Sequence, residues 1–114
     1  MNTEFSNHIR LQLLNSSRQD PIDLMADPFV FQPIPQEDDG GLVYLCDHTF
    51  TVDSPTESEL REFGFPRSCL VQLFTTDGRQ LTIGTQRIPA RVILSRHLQR
   101  SKLKVECRMK QSPL

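Results

Sequence analysis

The most regular pattern in the chain lies near its end. Leu103, Val105, Cys107 and Met109 alternate strictly with Lys102, Lys104, Glu106, Arg108 and Lys110. Period two puts successive side chains on opposite faces of an extended backbone, so this segment predicts a strand with one buried face and one solvated, mainly basic face. Val92-Ile93-Leu94, entered through Ile88-Pro89-Ala90, is a short apolar run of the kind a buried strand needs. Leu70-Val71-Gln72-Leu73-Phe74 and Gln80-Leu81-Thr82-Ile83 flank Asp77-Gly78 and predict a hairpin. A two-residue Asp-Gly loop would set Phe74 opposite Leu81, with Gly84 ending or bulging the second strand.

The first half is less regular. From Gly41 to Asp53, Leu42, Tyr44, Cys46, His48, Phe50 and Val52 share one side of an extended chain, which predicts one strand that leaves the core as it runs. Ser54-Pro55-Thr56-Glu57 then starts a helix near 55–63, with Ser54 as cap, Pro55 in the first turn and Glu57 closing a capping box. Gly64 and Pro66 stop it, and Leu60 and Phe63 form its inward face. His8 to Leu13 alternates like a half-buried strand, although Phe5, Ile9 and Leu13 fit a helix over 3–14 nearly as well. Residues 15–41 carry Pro21, Pro28, Pro33 and Pro35 and the turn Glu37-Asp38-Asp39-Gly40-Gly41. They predict a Pro-rich acidic loop or arm, with Phe29-Val30-Phe31 as a short edge strand and as arm contacts for a partner.

These elements predict a single domain over 1–114 that is mainly β (all-β or α+β). Its expected form is a small antiparallel sandwich or partly open barrel of five to six short strands with one short helix near 55–63. A βαβ layout would need more and longer helices.

Composition supports a modest core. Hydrophobic residues make up only 37% and mean hydropathy is −0.39, yet seven Phe accompany the many Leu, Ile and Val. No apolar run approaches the roughly 20 residues of a membrane span. Met1 to Asn15 contains Glu4 and lacks the apolar stretch of a secretory signal. Three widely spaced cysteines, Cys46, Cys69 and Cys107, suggest reduced thiols rather than a disulfide framework. The cytoplasm is therefore the expected compartment.

Candidate chemistry is sparse. Cys46 and His48 lie two apart on a strand and could form a nucleophilic pair or half a metal site, but a core face shared with Tyr44 and Phe50 explains them far better. No Cys-x₂-Cys knuckle is present, and the acids at 20–27 and 37–39 lack calcium-loop spacing. Phosphate-loop, dinucleotide and nucleophile-elbow motifs are also missing. No catalytic residue, cofactor or metal is expected, and a small enzyme with a site assembled from scattered residues is the remote alternative.

Charge changes the picture most. Residues 1–66 carry twelve acids against three bases, and residues 67–114 carry ten bases against two acids, so a net charge of −1 hides a strong split. Arg87, Arg91, Arg96, Arg100, Lys102, Lys104, Arg108 and Lys110 form the candidate interaction surface. The leading expectation is a non-enzymatic structural or assembly subunit that contacts a protein partner or itself as a homo-oligomer. Acidic and basic surfaces would meet within one subunit or across two. Strand-rich chains of this size, without catalytic motifs and with a loose arm, occur as subunits of viral or phage-like assemblies. A nucleic-acid-binding module using the basic stripe on phosphates is the second expectation. The last aromatic residue is Phe74, which leaves that stripe without a base-stacking platform.

Overall fold

The computed structural model describes residues 4–14, 21–38, 40–53, 56–97 and 100–110. Ten strands and one helix follow in the order β1 (Phe5–Leu13), β2 (Ile22–Met25), β3 (Ile34–Asp38), β4 (Gly41–Leu45), β5 (His48–Val52), α1 (Glu57–Phe63), β6 (Arg67–Thr75), β7 (Gln80–Ile83), β8 (Ala90–His97), β9 (Arg100–Glu106) and β10 (Arg108–Met109). All pairings are antiparallel. The mainly β, antiparallel class with one short helix is as the alternation predicts, but the described residues hold ten strands in place of five or six.

The larger sheet runs β2-β1-β6-β8-β9-β5, and β7 shares the β8 edge of β6. It curls until its two end strands touch at a single bridge, Ala26 to Val52. Asp27 N–H donates to Thr51 O at 2.8 Å and Asp53 N–H to Met25 O at 2.8 Å beside that bridge. Arg100 spans the seam, with its guanidinium 2.7 Å from Asp27 Oδ1 and 3.1 Å from Asp53 Oδ1. One bridge is short of a closed ladder, so the result is a partly open barrel. Ile9, Leu11, Val71, Leu73, Val92, Leu94, Leu103 and Val105 fill its inside, each essentially without solvent contact.

The strand reading of residues 8–13 holds, and several other local expectations are corrected. β1 is a strand and not a helix, because the inward residues Ile9, Leu11 and Leu13 follow period two and pair with β6. Residues 15–20 lie outside the described residues, but 21–41 is no simple arm: it contains β2 and β3. Phe29-Val30-Phe31 is not an edge strand. The stretch has no regular structure, and it turns Phe31 into the core. Gly41–Asp53 is two strands, broken at Cys46-Asp47.

The helix begins two residues later than the first capping signal suggests. Thr56, not Ser54, is the cap: Glu59 N–H donates to Thr56 Oγ1, and the Glu59 carboxylate accepts from Thr56 N–H at 2.9 Å. Ser54 and Pro55 lie outside the described residues. The hairpin loop has three residues, not two. Thr75 N–H reaches Arg79 O at 2.9 Å, and Gly78 takes φ 91° in the left-handed position that such loops require. One extra loop residue shifts the register, so Leu73 faces Leu81 and Phe74 faces Gln80.

Candidate interaction surface

Two strands of the barrel continue outward into the smaller sheet, β10-β4-β3. His48 pairs with Val105, Cys46 N–H donates to Cys107 O at 2.9 Å, and Leu45 pairs with Arg108. The residue numbers of each pair have the same sum, so β5–β9 and β4–β10 are one ladder bent at a single point. At the bend Asp47 Oδ1 accepts from Cys107 N–H at 3.1 Å, taking the place of a backbone carbonyl. This explains why strict alternation runs from Leu103 to Met109 through the break between β9 and β10.

Among the described residues, little covers the small sheet outside the barrel. Ile34 (62% exposed) and Leu42 (51%) lie on its strands, and Val30 (80%) stands just before it. Ile34, Leu45 and Arg108 share one face by register, while Tyr44 and Met109 share the other and lean on the core. Sequence reasoning missed this surface because it read Leu42 to Leu45 as the buried start of a single strand over 41–53. The available signal was that Leu42-Val43-Tyr44-Leu45 is apolar on both faces, unlike a strand with one solvated side.

The eight bases do not act as one stripe. Arg96 Nη2 meets Glu57 Oε1 at 2.9 Å, and Arg100 is spent on Asp27 and Asp53 at the seam. Lys102 Nζ donates to Thr51 Oγ1 at 2.7 Å, and Lys104 Nζ lies 3.0 Å from Glu106 Oε1. Asp27, Asp53 and Glu57 belong to the acidic half, so acidic and basic halves pair at these points inside one subunit. Arg87, Arg91, Arg108 and Lys110 form no ion pair with a described residue, although Arg91 stands across from Glu106. These four gather where β9 passes into β10, around two open cavities. One, of about 280 Å³, is lined by Thr85, Arg87, Ile88, Met109 and Lys110. The other, of about 300 Å³, is lined by Asp47, Pro89, Arg91, Glu106, Cys107 and Arg108.

The arm residues separate in the same way. Phe29 stacks on Phe5 with centroids 5.2 Å apart and meets Phe50 edge-on at 4.8 Å, and Phe31 is buried. Only Val30 of the three faces solvent. His48 sits among Phe29, Phe31 and Phe50, and burial pushes its pKa below the ordinary value. The unfolded chain therefore binds more protons than the fold as pH falls below about 6.5, so this group's burial costs stability on the acid side and nothing above it. His48→Gln is expected to flatten the loss of thermal stability below about pH 6.5, and melts of both proteins over a pH series measure it. An unchanged acid slope would count against this assignment.

A second polar group on the outer barrel face escaped the sequence reading. His8 Nε2 lies 2.6 Å from Asp23 Oδ1, Arg10 Nε 2.8 Å from the same atom, and His8 stacks on Phe74 at 4.7 Å. The Arg10 hydrogen bond holds the Asp23 carboxyl below the ordinary range. The three thiols are free and buried. Burial raises Cys46 and Cys107 to about 11 and Cys69 to about 12, so they stay protonated at neutral pH and are poor nucleophiles. Cys46 Sγ points to Tyr44 O at 3.8 Å, and no hydrogen bond joins it to His48. Among the described residues no three or more His, Cys, Asp or Glu side chains gather as metal ligands, and no helix is long and apolar enough to cross a membrane. Compared with known protein families, with curated proteins and with solved structures, the chain matches none of them.

Proposed function

We propose that this chain is a non-enzymatic assembly subunit that makes protein–protein contacts, with its own kind or with a partner protein, through the sheet β10-β4-β3. The observation that carries this reading is a small sheet with an exposed apolar side chain on each face: Ile34 on one and Leu42 on the other are both more than half exposed. A small strand-rich protein normally blunts or covers such a surface. Arg87, Arg91, Arg108 and Lys110, which form no ion pair with a described residue, gather at the β10 side of this sheet, which suits charge-steered association. Phosphate contacts by the same four cations are the weaker alternative, because the other four candidate bases are engaged inside the chain.

Light scattering over rising concentration tests the reading. The expected result is a mass above 13.1 kDa that grows with concentration and returns to monomer in Ile34→Lys. A wild-type monomer at every soluble concentration, in low and high salt, would overturn self-association.

A further inference from the structure

We propose that the partner of this surface is a second copy of the same chain, added head to tail, with the acidic edge strand β3 of one copy pairing along the basic edge strand β10 of the next. This rests on the assembly reading and specifies its geometry.

The small sheet has order β10-β4-β3, so β3 and β10 are its two edges. Backbone groups in antiparallel strands alternate between their two neighbours. Cys46 N–H bonds Cys107 O, so in the same register Tyr44 directs its backbone groups to β10, and Val43 and Leu45 direct theirs to β3. Pro35 and Glu37, opposite Tyr44 and Leu42, therefore point their backbone outward, as does Arg108 on the other edge. Pro35 is tolerated because its missing N–H falls on that open side. Glu37 offers both N–H and C=O there, and Pro35 a carbonyl.

Charge selects which edges meet. β3 carries Glu37 and Asp38 and no base, whereas Arg108 and Lys110 border the β10 edge. Pairing β3 with β3, or β10 with β10, would place like charges together, which opposes association. Only β3 against β10 is complementary. Both strands run antiparallel to β4, so a copy that continues the sheet with its natural twist brings them together in parallel. The cavity between β10 and the Thr85–Ile88 turn receives the incoming strand, with Met109 and Ile88 as apolar floor. Two different edges in contact make a heterologous joint, which propagates as a filament or closes as a ring.

Charge exchange tests the proposal. Glu37→Lys and Arg108→Glu are each expected to raise the concentration needed for assembly about tenfold or more. An equimolar mixture is expected to recover wild-type assembly, because each joint in an alternating array is again complementary. The double variant is expected to assemble alone, and that recovery also shows that the substituted chains fold. If the wild type associates and Ile34→Lys blocks it, but the charge variants and their mixture behave as wild type, head-to-tail edge pairing is overturned and the assembly reading stands. A wild type that never associates overturns both.

Discussion

Gly84→Ala is expected to destabilise the protein by about 2–5 kcal/mol, far more than alanine at the other glycines with positive φ. Gly84 sits at φ 97° in the buried step where β7 ends and β8 takes over the same edge of β6. A Cβ there would lie 2.7 Å from Ala90 N and 3.4 Å from both Cys69 O and Ile88 O. All three are backbone atoms; Ala90 and Cys69 are register partners in the sheet and cannot move without breaking a ladder, and Ile88 O is held by Thr85 N–H. The left-handed backbone adds roughly 1–2 kcal/mol of its own. Gly41 and Gly78 separate the two effects, since both have positive φ but open space around the added atom. Alanine at either should cost about 1 kcal/mol, from backbone alone. Urea unfolding of the three variants measures the difference. A Gly84→Ala loss no larger than that of Gly78→Ala would show that the tight step between β7 and β8 is not as described.

The elements that were legible in the sequence are those whose own periodicity decides their burial. Leu103 and Val105 face inward and Lys102 and Lys104 outward because strict alternation admits no other placement beside a core. β2 and β3 were hidden because each is short and bounded by proline, so composition outweighed a pattern as brief as Ile22 and Leu24. The bend at Cys46-Asp47 leaves both the alternation and the pairing register unchanged, and nothing local announces it. Asp-Gly serves two-residue and three-residue loops alike, which is why the hairpin was placed correctly but its register by one residue wrongly. The candidate surface was legible only as a list of charges. Whether a base is engaged depends on contacts such as Arg100 with Asp27, 73 residues apart, which no local pattern encodes. The exposed small sheet was missed for a related reason: an apolar run does not say whether the barrel reaches far enough to cover it.

Phe63→Ala is expected to cost about 3–5 kcal/mol, the other large effect in this molecule. α1 has seven residues, too few to hold together alone, because helix nucleation fixes several residues for the first hydrogen bond. Its capping box contributes about 1 kcal/mol, and the exposed pair Glu57–Arg96 contributes less. Phe63 is the helix residue buried completely, and with half-buried Leu60 it fastens α1 to the barrel beside β8. Tertiary burial rather than propensity therefore holds the helix, and truncating the ring removes both its transfer free energy and the packing that keeps α1 in place. Thr56→Ala is the comparison, since it weakens the helix at its start and leaves the anchor intact; its expected loss is about 1 kcal/mol. Equilibrium denaturation of Phe63→Ala, Phe63→Leu and Thr56→Ala should give losses in descending order from Ala to Leu to the cap variant. If Phe63→Ala loses no more than Thr56→Ala, the helix is held by its own caps, and the core does not extend beneath it.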